Sequence, residues 1–222
     1  MRNVRILFLA QVLTGSGLTA VVLFGGILSA ALSPNPSWAT VPVSLAVIGM
    51  ALSTLPAAYL MRLTGRRAGL ITGASIGIAA SLLCAYAITQ GSFLFFCTGS
   101  MLFGTATAFS VQYRFVAAES VSPERASQAI SYVLLGGVGS ALLGPQAAIA
   151  ARAWWAQHEY AGSFLVVGGL YALGAIVLLQ LRPTESASGA AESGGPAVRE
   201  LIREPMLRTA VLAGAVAFGV MS

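Results

Sequence analysis

Long stretches without a charged residue are the feature that most constrains this chain of 222 residues. Neither arginine nor glutamate occurs in residues 6–61, 68–113, 126–151 or 161–181, and the chain has no lysine or aspartate. A helix needs roughly 20 apolar residues to cross the hydrocarbon core of a bilayer. The first two stretches are long enough for two such helices each, and the last two for one each. The sequence therefore predicts an all-α membrane protein with six transmembrane helices.

Turn residues divide the two longest stretches and set the limits of the predicted spans. The segment SPNPS divides the first stretch, and QGS divides the second. We expect the spans at residues 6–31, 41–61, 68–89, 93–113, 127–150 and 162–181.

The predicted domains follow from these spans. Residues 1–181 form one transmembrane domain. Residues 182–206 are a linker rich in Pro, Ser, Gly and Ala, in which 198–204 is predicted as a short surface helix. The apolar run at 207–222 is too short to cross a bilayer, and we expect it to be the truncated start of a seventh transmembrane helix.

The arginines predict the orientation of the chain in the membrane. When successive loops are assigned to alternate sides, 11 of the 12 arginines fall on one side and only Arg152 on the other. Loops rich in arginine face the cytoplasm, whereas Trp38, Trp154 and Trp155 lie at the opposite face, where indole rings suit the headgroup region. The net charge of +5 is then explained by these loops, and we expect no nucleic-acid partner. Abundant Arg, Ala and Gly without lysine indicate a GC-rich bacterium, so we predict a multi-pass protein of the bacterial inner membrane with a cytoplasmic N-terminus and the lipid bilayer as a partner.

The residue types that are absent exclude several kinds of chemistry. Without aspartate there is no intramembrane aspartyl protease, and the single histidine, His158, is too few for a zinc cluster or a bis-histidine haem site. An intramembrane serine protease needs a serine and a histidine together inside the bilayer. His158 lies in a predicted external loop, away from the serines of the predicted spans. We therefore predict no enzyme activity, no cofactor and no metal.

Few polar side chains lie inside the predicted spans, and these are candidates for lining a cavity. Polar groups within a membrane usually face a cavity or another helix, because an amide in lipid is costly without hydrogen-bond partners. For the hydroxyls, a hydrogen bond to a carbonyl of the same helix is the competing interpretation. The candidates, on the first and fourth spans, are Gln11, Thr14, Thr98, Thr105 and Gln112. No acidic residue lies in the middle of a span.

Small residues recur every fourth position in two of the spans. In lipid, helices associate by close backbone approach along such stripes. Plain helix packing and a sliding or hinge function both explain the pattern. The residues concerned are Gly69, Gly73, Gly77, Ser81 and Ala85 on the third span and Gly136, Ser140 and Gly144, followed by Pro145, on the fifth.

The loop after the second span carries the most specific motif. Residues 58–67 read AYLMRLTGRR and resemble the cytoplasmic signature of the major facilitator superfamily, G-x-x-x-D-R-x-G-R-R. The final Gly-Arg-Arg matches, while Ala58 replaces the first glycine of the signature and Leu63 its first arginine. The resemblance implies a cytoplasmic gate formed by Arg62, Gly65, Arg66 and Arg67, with Arg62 in the place of the aspartate.

Two further segments add to this resemblance. Residues 122–126 (SPERA) resemble the loop between the fourth and fifth helices of the family, and Gly144-Pro145 resembles part of the fifth-helix motif of its antiporter branch. Ser100 stands where proton-coupled members often carry an arginine. The charge partners that the resemblance implies at the cytoplasmic end are Arg114, Glu119, Glu124 and Arg125.

The layout of the whole chain resembles the N-terminal half of this family, in which spans 1–3 and 4–6 form an inverted repeat (3+3) and a partial seventh helix follows the linker. The resemblance implies a secondary active transporter of a small-molecule substrate that works by alternating access and is coupled to an ion gradient, with the proton as the usual ion. A missing C-terminal half or a second copy of the chain would complete the substrate site. Two alternatives stay open: a self-pairing six-span half-transporter or pore, and a non-functional truncated product.

Overall fold

The computed structural model describes residues 1–33, 35–155 and 157–182. Within these ranges the helices are α1 (Arg2–Thr14), α2 (Ser16–Leu32), α3 (Val41–Thr64), α4 (Arg66–Gln90), α5 (Phe93–Ser110), α6 (Tyr113–Glu119), α7 (Ala126–Ala150) and α8 (Ala161–Leu179). Short 3-10 turns occupy Pro36–Trp38 and Pro123–Arg125. The predicted linker beyond residue 182 and the predicted seventh helix at 207–222 lie outside the described residues.

The helices combine into six segments that are long and apolar enough to cross a membrane, counted over the described part of the chain. Helices α1 and α2 together form span 1, and α5 and α6 together form span 4. Helices α3, α4, α7 and α8 are spans 2, 3, 5 and 6. The most apolar windows of the spans have mean hydropathies between 1.5 and 2.2. The predicted all-α membrane protein with six spans is therefore confirmed.

The packing of the spans has the symmetry of two related triplets. Span 2 packs extensively on span 4, and span 5 packs extensively on span 1. Exchanging spans 1–3 with spans 4–6 converts one of these pairs into the other. Spans 3 and 6, which correspond to each other, are in direct contact, and corresponding prolines, Pro56 and Pro145, lie inside α3 and α7. The packing has the pattern of the 3+3 inverted repeat that was predicted.

The stripe of small residues on α4 lies at the centre of the bundle. A Cβ atom at Gly73 would lie 2.3 Å from the Cβ of Phe109, and one at Gly77 would lie 2.1 Å from the ring of Tyr171. These two aromatic side chains belong to spans 4 and 6. Span 3 therefore approaches both neighbours closely, because its glycines leave room for their rings.

Spans 2 and 5 are the least enclosed by the rest of the chain. Only 22% and 28% of their most apolar windows are buried, against 44–56% for the other four spans in the described part. Large apolar side chains such as Leu55 and Leu142 are 81% and 70% exposed there. Apolar faces of this size need a lipid or helical partner.

Candidate functional site

The turn between spans 2 and 3 consists of one glycine. Helix α3 ends at Thr64 and α4 begins at Arg66, and Gly65 between them has φ +88° and ψ 156°. Only glycine adopts this region of backbone conformation without strain. The two spans therefore reverse without a linker, and the reversal places Arg66 and Arg67 on the first turn of α4.

One carboxylate accepts hydrogen bonds from two nitrogens of Arg66. Its Nε lies 3.1 Å from Oε2 of Glu119, and its Nη2 lies 2.5 Å from Oε1 of the same residue. Two parallel charge-assisted hydrogen bonds of this kind fix the geometry of both partners. The contact joins the start of span 3 to the end of span 4. Of the acidic residues expected at this end, Glu119 is the one that the structure places against the arginine motif.

Two further arginines contact the end of span 6. Arg67 donates a hydrogen bond through Nη2 to the carbonyl oxygen of Leu179, and Arg2 donates through Nη2 to the carbonyl oxygen of Gln180 at 3.3 Å. The last carbonyls of a helix lack intrahelical partners and form the negative end of its dipole. Guanidinium groups therefore stabilise this end and join span 6 to spans 1 and 3.

The remaining residues expected at this end have different surroundings. Arg62 is exposed in the last turn of α3, and Glu124 and Arg125 are exposed in the short turn before α7. Arg114 is partly buried in α6, with its guanidinium carbon 4.8 Å from the centre of the Phe115 ring. That these residues contribute to a gate or to its charge pairs stays a prediction.

A buried polar cluster lies where spans 1 and 4 meet. Oγ1 of Thr14 is 3.3 Å from Oη of Tyr113 and 3.4 Å from Oγ of Ser110, and it donates to the carbonyl oxygen of Ala10 at 2.8 Å. Thr14, Ser110 and Tyr113 are all buried. The structure thus places Thr14, a predicted cavity residue, within the packed interior.

The other candidates on span 4 have separate positions. Thr105 accepts a hydrogen bond from Oγ of Ser53 at 2.9 Å, which joins spans 4 and 2. Thr98 is exposed and donates to the carbonyl oxygen of Leu94 in its own helix at 2.9 Å. Gln112 is partly buried and precedes α6. Lining a cavity stays a prediction for these residues.

Two buried tyrosines give a matched test of the polar cluster. We expect Tyr113→Phe to lower the free energy of unfolding by about 1 kcal/mol, because it removes a hydroxyl that has hydrogen-bond partners. Tyr171→Phe is expected to leave stability unchanged or raised, because Oη of Tyr171 is buried and has no hydrogen-bond partner among the described residues. Thermal unfolding of the purified protein in detergent measures both, and an equal loss in the two variants contradicts the assignment.

Two clefts among the described residues lie against spans 1 and 5, and the larger of this pair has a volume of about 380 Å³. It is lined by Met1, Val4, Arg5, Gln128, Ala129 and Tyr132. The ring of Tyr132 lies 4.7 Å from the ring of Phe8, centre to centre. The cleft therefore combines an apolar and aromatic wall with polar groups from Arg5 and Gln128. Such a lining suits a flat, largely apolar ligand with polar substituents.

The smaller cleft has a volume of about 110 Å³ and also reaches span 4. It is lined by Gln11, Ser110, Val111, Arg114, Val133, Leu134 and Gly137. Tyr132 of the larger cleft and Val133 of the smaller one are consecutive residues of α7, so both clefts border this helix. Gln11 is the predicted cavity residue that the structure places at a cleft.

Sequence reasoning did not select Arg5, Gln128 and Tyr132, which line the larger cleft. Gln128 and Tyr132 are four residues apart and so share one face of α7. That spacing was a usable signal, but only together with the knowledge that span 5 packs against span 1.

The small residues of α7 face span 1. A Cβ atom at Gly144 would lie 3.0 Å from the Cα atom of Ser16, and one at Gly136 would lie 2.8 Å from the carbonyl oxygen of Phe8. Ser140 packs at Gly15, the residue that separates α1 from α2. The stripe therefore mediates close packing of spans 1 and 5 beside the clefts. A hinge at Pro145 stays a prediction.

Comparison with known proteins relates this chain to membrane transporters. Residues 7–222 match the family model described as the Major Facilitator Superfamily. The riboflavin transporter RfnT of Brucella anthropi is 37% identical over 223 residues, which cover 100% of this chain and 56% of the relative. Two uncharacterized MFS-type transporters of Bacillus subtilis, YdeG and YddS, are 27% and 26% identical, each over 82% of this chain and 43% of their own length. The chain thus spans about half the length of these curated relatives.

Proposed function

Because this chain belongs to the Major Facilitator Superfamily, we propose that it acts as the N-terminal half of a secondary transporter that carries riboflavin or a related flavin by alternating access. One observation supports the choice of substrate above all others. It is the 37% identity, along the whole chain, to a protein named a riboflavin transporter. The coarser conclusion, a multi-pass membrane protein that transports a small solute, rests on the family itself.

The two clefts between spans 1, 4 and 5 support this substrate class. A flavin consists of a flat ring system, apolar on its faces, with a polyhydroxylated side chain. The larger cleft offers the ring of Tyr132, which packs against Phe8, beside Arg5 and Gln128. Aromatic side chains stack on flat rings, and the polar groups bind hydroxyls. We propose that these clefts form this chain's share of the substrate pathway.

The exposed faces of spans 2 and 5 support a second half. They are the least buried spans of the described bundle, at 22% and 28%. We propose that a second six-span unit covers these faces and that the substrate passes between the two units as they rock. The arginine-rich end, with Arg66 and Arg67, is proposed to be cytoplasmic and the membrane to be the bacterial inner membrane.

Uptake by cells tests the proposed function. The intact gene product would be expressed in a bacterium that neither makes nor imports riboflavin. We expect growth on low concentrations of riboflavin and saturable uptake of the labelled vitamin. We also propose proton coupling, so a protonophore is expected to abolish accumulation. No uptake above the vector control, with the protein present in the membrane, contradicts the flavin assignment, and uptake unaffected by the protonophore contradicts proton coupling.

The pair formed by Arg66 and Glu119 is proposed to close part of the cytoplasmic gate. We expect Glu119→Gln to lower the initial uptake rate by about tenfold, since a lost charge-assisted bidentate contact weakens one conformation by roughly 1.5–3 kcal/mol. Exchanging the two charges, with Arg66→Glu and Glu119→Arg together, is expected to restore part of the rate.

The matched control for this gate is Glu159→Gln at the other end of the bundle. Glu159 pairs with Arg152 at 2.9 Å, but the two side chains are 56% and 50% exposed. Such exposed pairs contribute little. An equal loss of uptake in both variants, at equal amounts of protein in the membrane, would show that the Arg66 contact has no special part in transport.

A further inference from the structure

We propose that Arg114 is a substrate-binding residue whose guanidinium donates hydrogen bonds to an acceptor edge of the substrate's ring system. This inference rests on the proposed function, since it takes the substrate to be a flavin. It assigns Arg114 to the transport pathway and not to a charge pair at the end of span 4.

The position of Arg114 is the first argument. The side chain lines the smaller cleft together with Gln11 of span 1 and Ser110 of span 4. The side of span 5 in this cleft is apolar, with Val133 and Leu134. A cleft with a few polar groups on one side and an apolar wall on the other orients a flat ligand, because only one of its edges finds donors.

The second argument is an unused donor. Nε of Arg114 is buried and has no hydrogen-bond partner among the described residues. By contrast, Arg66 is bound by a carboxylate and Arg67 by a backbone carbonyl. Buried polar groups are nearly always hydrogen-bonded, and a guanidinium has donors only. The partner of Arg114 must therefore supply an acceptor.

The third argument is the orientation of the guanidinium. Its carbon lies 4.8 Å from the centre of the Phe115 ring, a distance at which the aromatic face attracts the cation. A guanidinium held in this way presents two parallel N–H groups to a partner with two adjacent acceptors. A flavin ring has two such edges, each with a carbonyl oxygen beside a ring nitrogen. The two groups are complementary.

Binding of flavin analogues tests the proposal. The intact gene product would be purified in detergent, and the Kd of riboflavin, 1-deazariboflavin and 5-deazariboflavin would be measured by quenching of flavin fluorescence or by competition. Each deaza analogue lacks one ring-nitrogen acceptor. The variants are Arg114→Gln and Arg114→Lys, and the control is Arg152→Gln in the exposed pair at the opposite end.

We expect the wild type to prefer riboflavin over one of the two analogues. In Arg114→Gln the riboflavin Kd is expected to rise by about 10- to 100-fold, as for loss of hydrogen bonds to a charged group. The preference over that analogue should disappear in the same variant, because removing the guanidinium and removing the ring nitrogen break the same contact. Arg114→Lys keeps the charge but not the paired donors, so its riboflavin Kd is expected to lie between those of the wild type and Arg114→Gln. Arg152→Gln is expected to bind riboflavin as the wild type does.

Two results would overturn the proposal, and they are distinguishable. If the wild type binds riboflavin and both Arg114 variants keep its analogue preference, Arg114 does not contact the ring and only this inference fails. If the wild type binds no flavin, the proposed function fails and this inference with it. Where the Gln variant does not fold, an undiminished analogue preference in the Lys variant alone gives the first result, because lysine lacks the paired donors.

Discussion

Replacing Gly104 by valine is expected to prevent the protein from accumulating as a folded membrane protein. A Cβ atom at this position would lie 1.8 Å from the carbonyl oxygen of Ala46 and 2.9 Å from the backbone nitrogen of Met50. Both atoms belong to the backbone of span 2, so no change of side-chain rotamer relieves the contact. The spans must move apart, and we expect a loss of more than about 3 kcal/mol, at the upper end of overpacking effects. Alanine at this position is expected to lower stability as well, but by less.

The control for this substitution is the same change at glycines with open surroundings. Within the described residues, nothing lies within 4 Å of a Cβ atom placed on Gly26 in α2 or Gly169 in α8. Valine is a slightly better helix former than glycine, so Gly26→Val and Gly169→Val should insert and fold normally. Size-exclusion profiles and thermal unfolding of the purified variants measure the difference. Equal stability of Gly104→Val and Gly26→Val would show that spans 2 and 4 do not pack as described.

Features that depend on local composition could be predicted from the sequence. The absence of charges over 20 or so consecutive residues is sufficient to locate a span, because the bilayer imposes the requirement. The turn at Gly65 was also predictable, because the short reversal at the Gly-Arg-Arg segment needs a residue that tolerates unusual backbone angles. Few acidic residues exist in this chain, so Glu119 and Glu124 were both expected as partners for the arginine motif, and the structure places Glu119 against it.

Features that depend on which spans are neighbours could not be predicted. Gly104 follows Ser100 and precedes Ala108 at spacings of four, and that spacing did not identify its partner. Among the glycines of the described residues, a Cβ atom at Gly104 would come closest to the backbone of another span, because Ala46 lies opposite. The cluster of Thr14 with Tyr113 joins residues 99 positions apart. The spacing along one span places a residue on a face, but the partner of that face comes from the packing of all spans together. The cleft at Arg114 could not be predicted for the same reason, because residues of spans 1, 4 and 5 line it together.

Replacing Gly65 by valine is expected to leave insertion intact and to reduce uptake by the intact gene product at least about tenfold, which corresponds to roughly 1.4 kcal/mol in the transport barrier. At φ +88° and ψ 156° a β-branched residue is strained by about 1–3 kcal/mol or more, so the turn must relax toward negative φ. That relaxation rotates the first turn of α4, which carries Arg66 and Arg67, away from Glu119 and from the end of span 6. Insertion depends on the apolar spans on either side, which the substitution does not change.

Gly91, in the turn between spans 3 and 4, provides the matched control. It has φ +62° and ψ 28°, the left-handed helical region, which asparagine also adopts readily. Gly91→Asn should therefore transport as the wild type does, whereas Gly65→Asn should be impaired, because the backbone angles at position 65 are accessible in practice only to glycine. Uptake rates at equal amounts of protein in the membrane distinguish the two. We expect the relaxed backbone to break the bidentate contact of Arg66. Unchanged uptake by Gly65→Val would therefore show that this turn and its contact are not needed for transport.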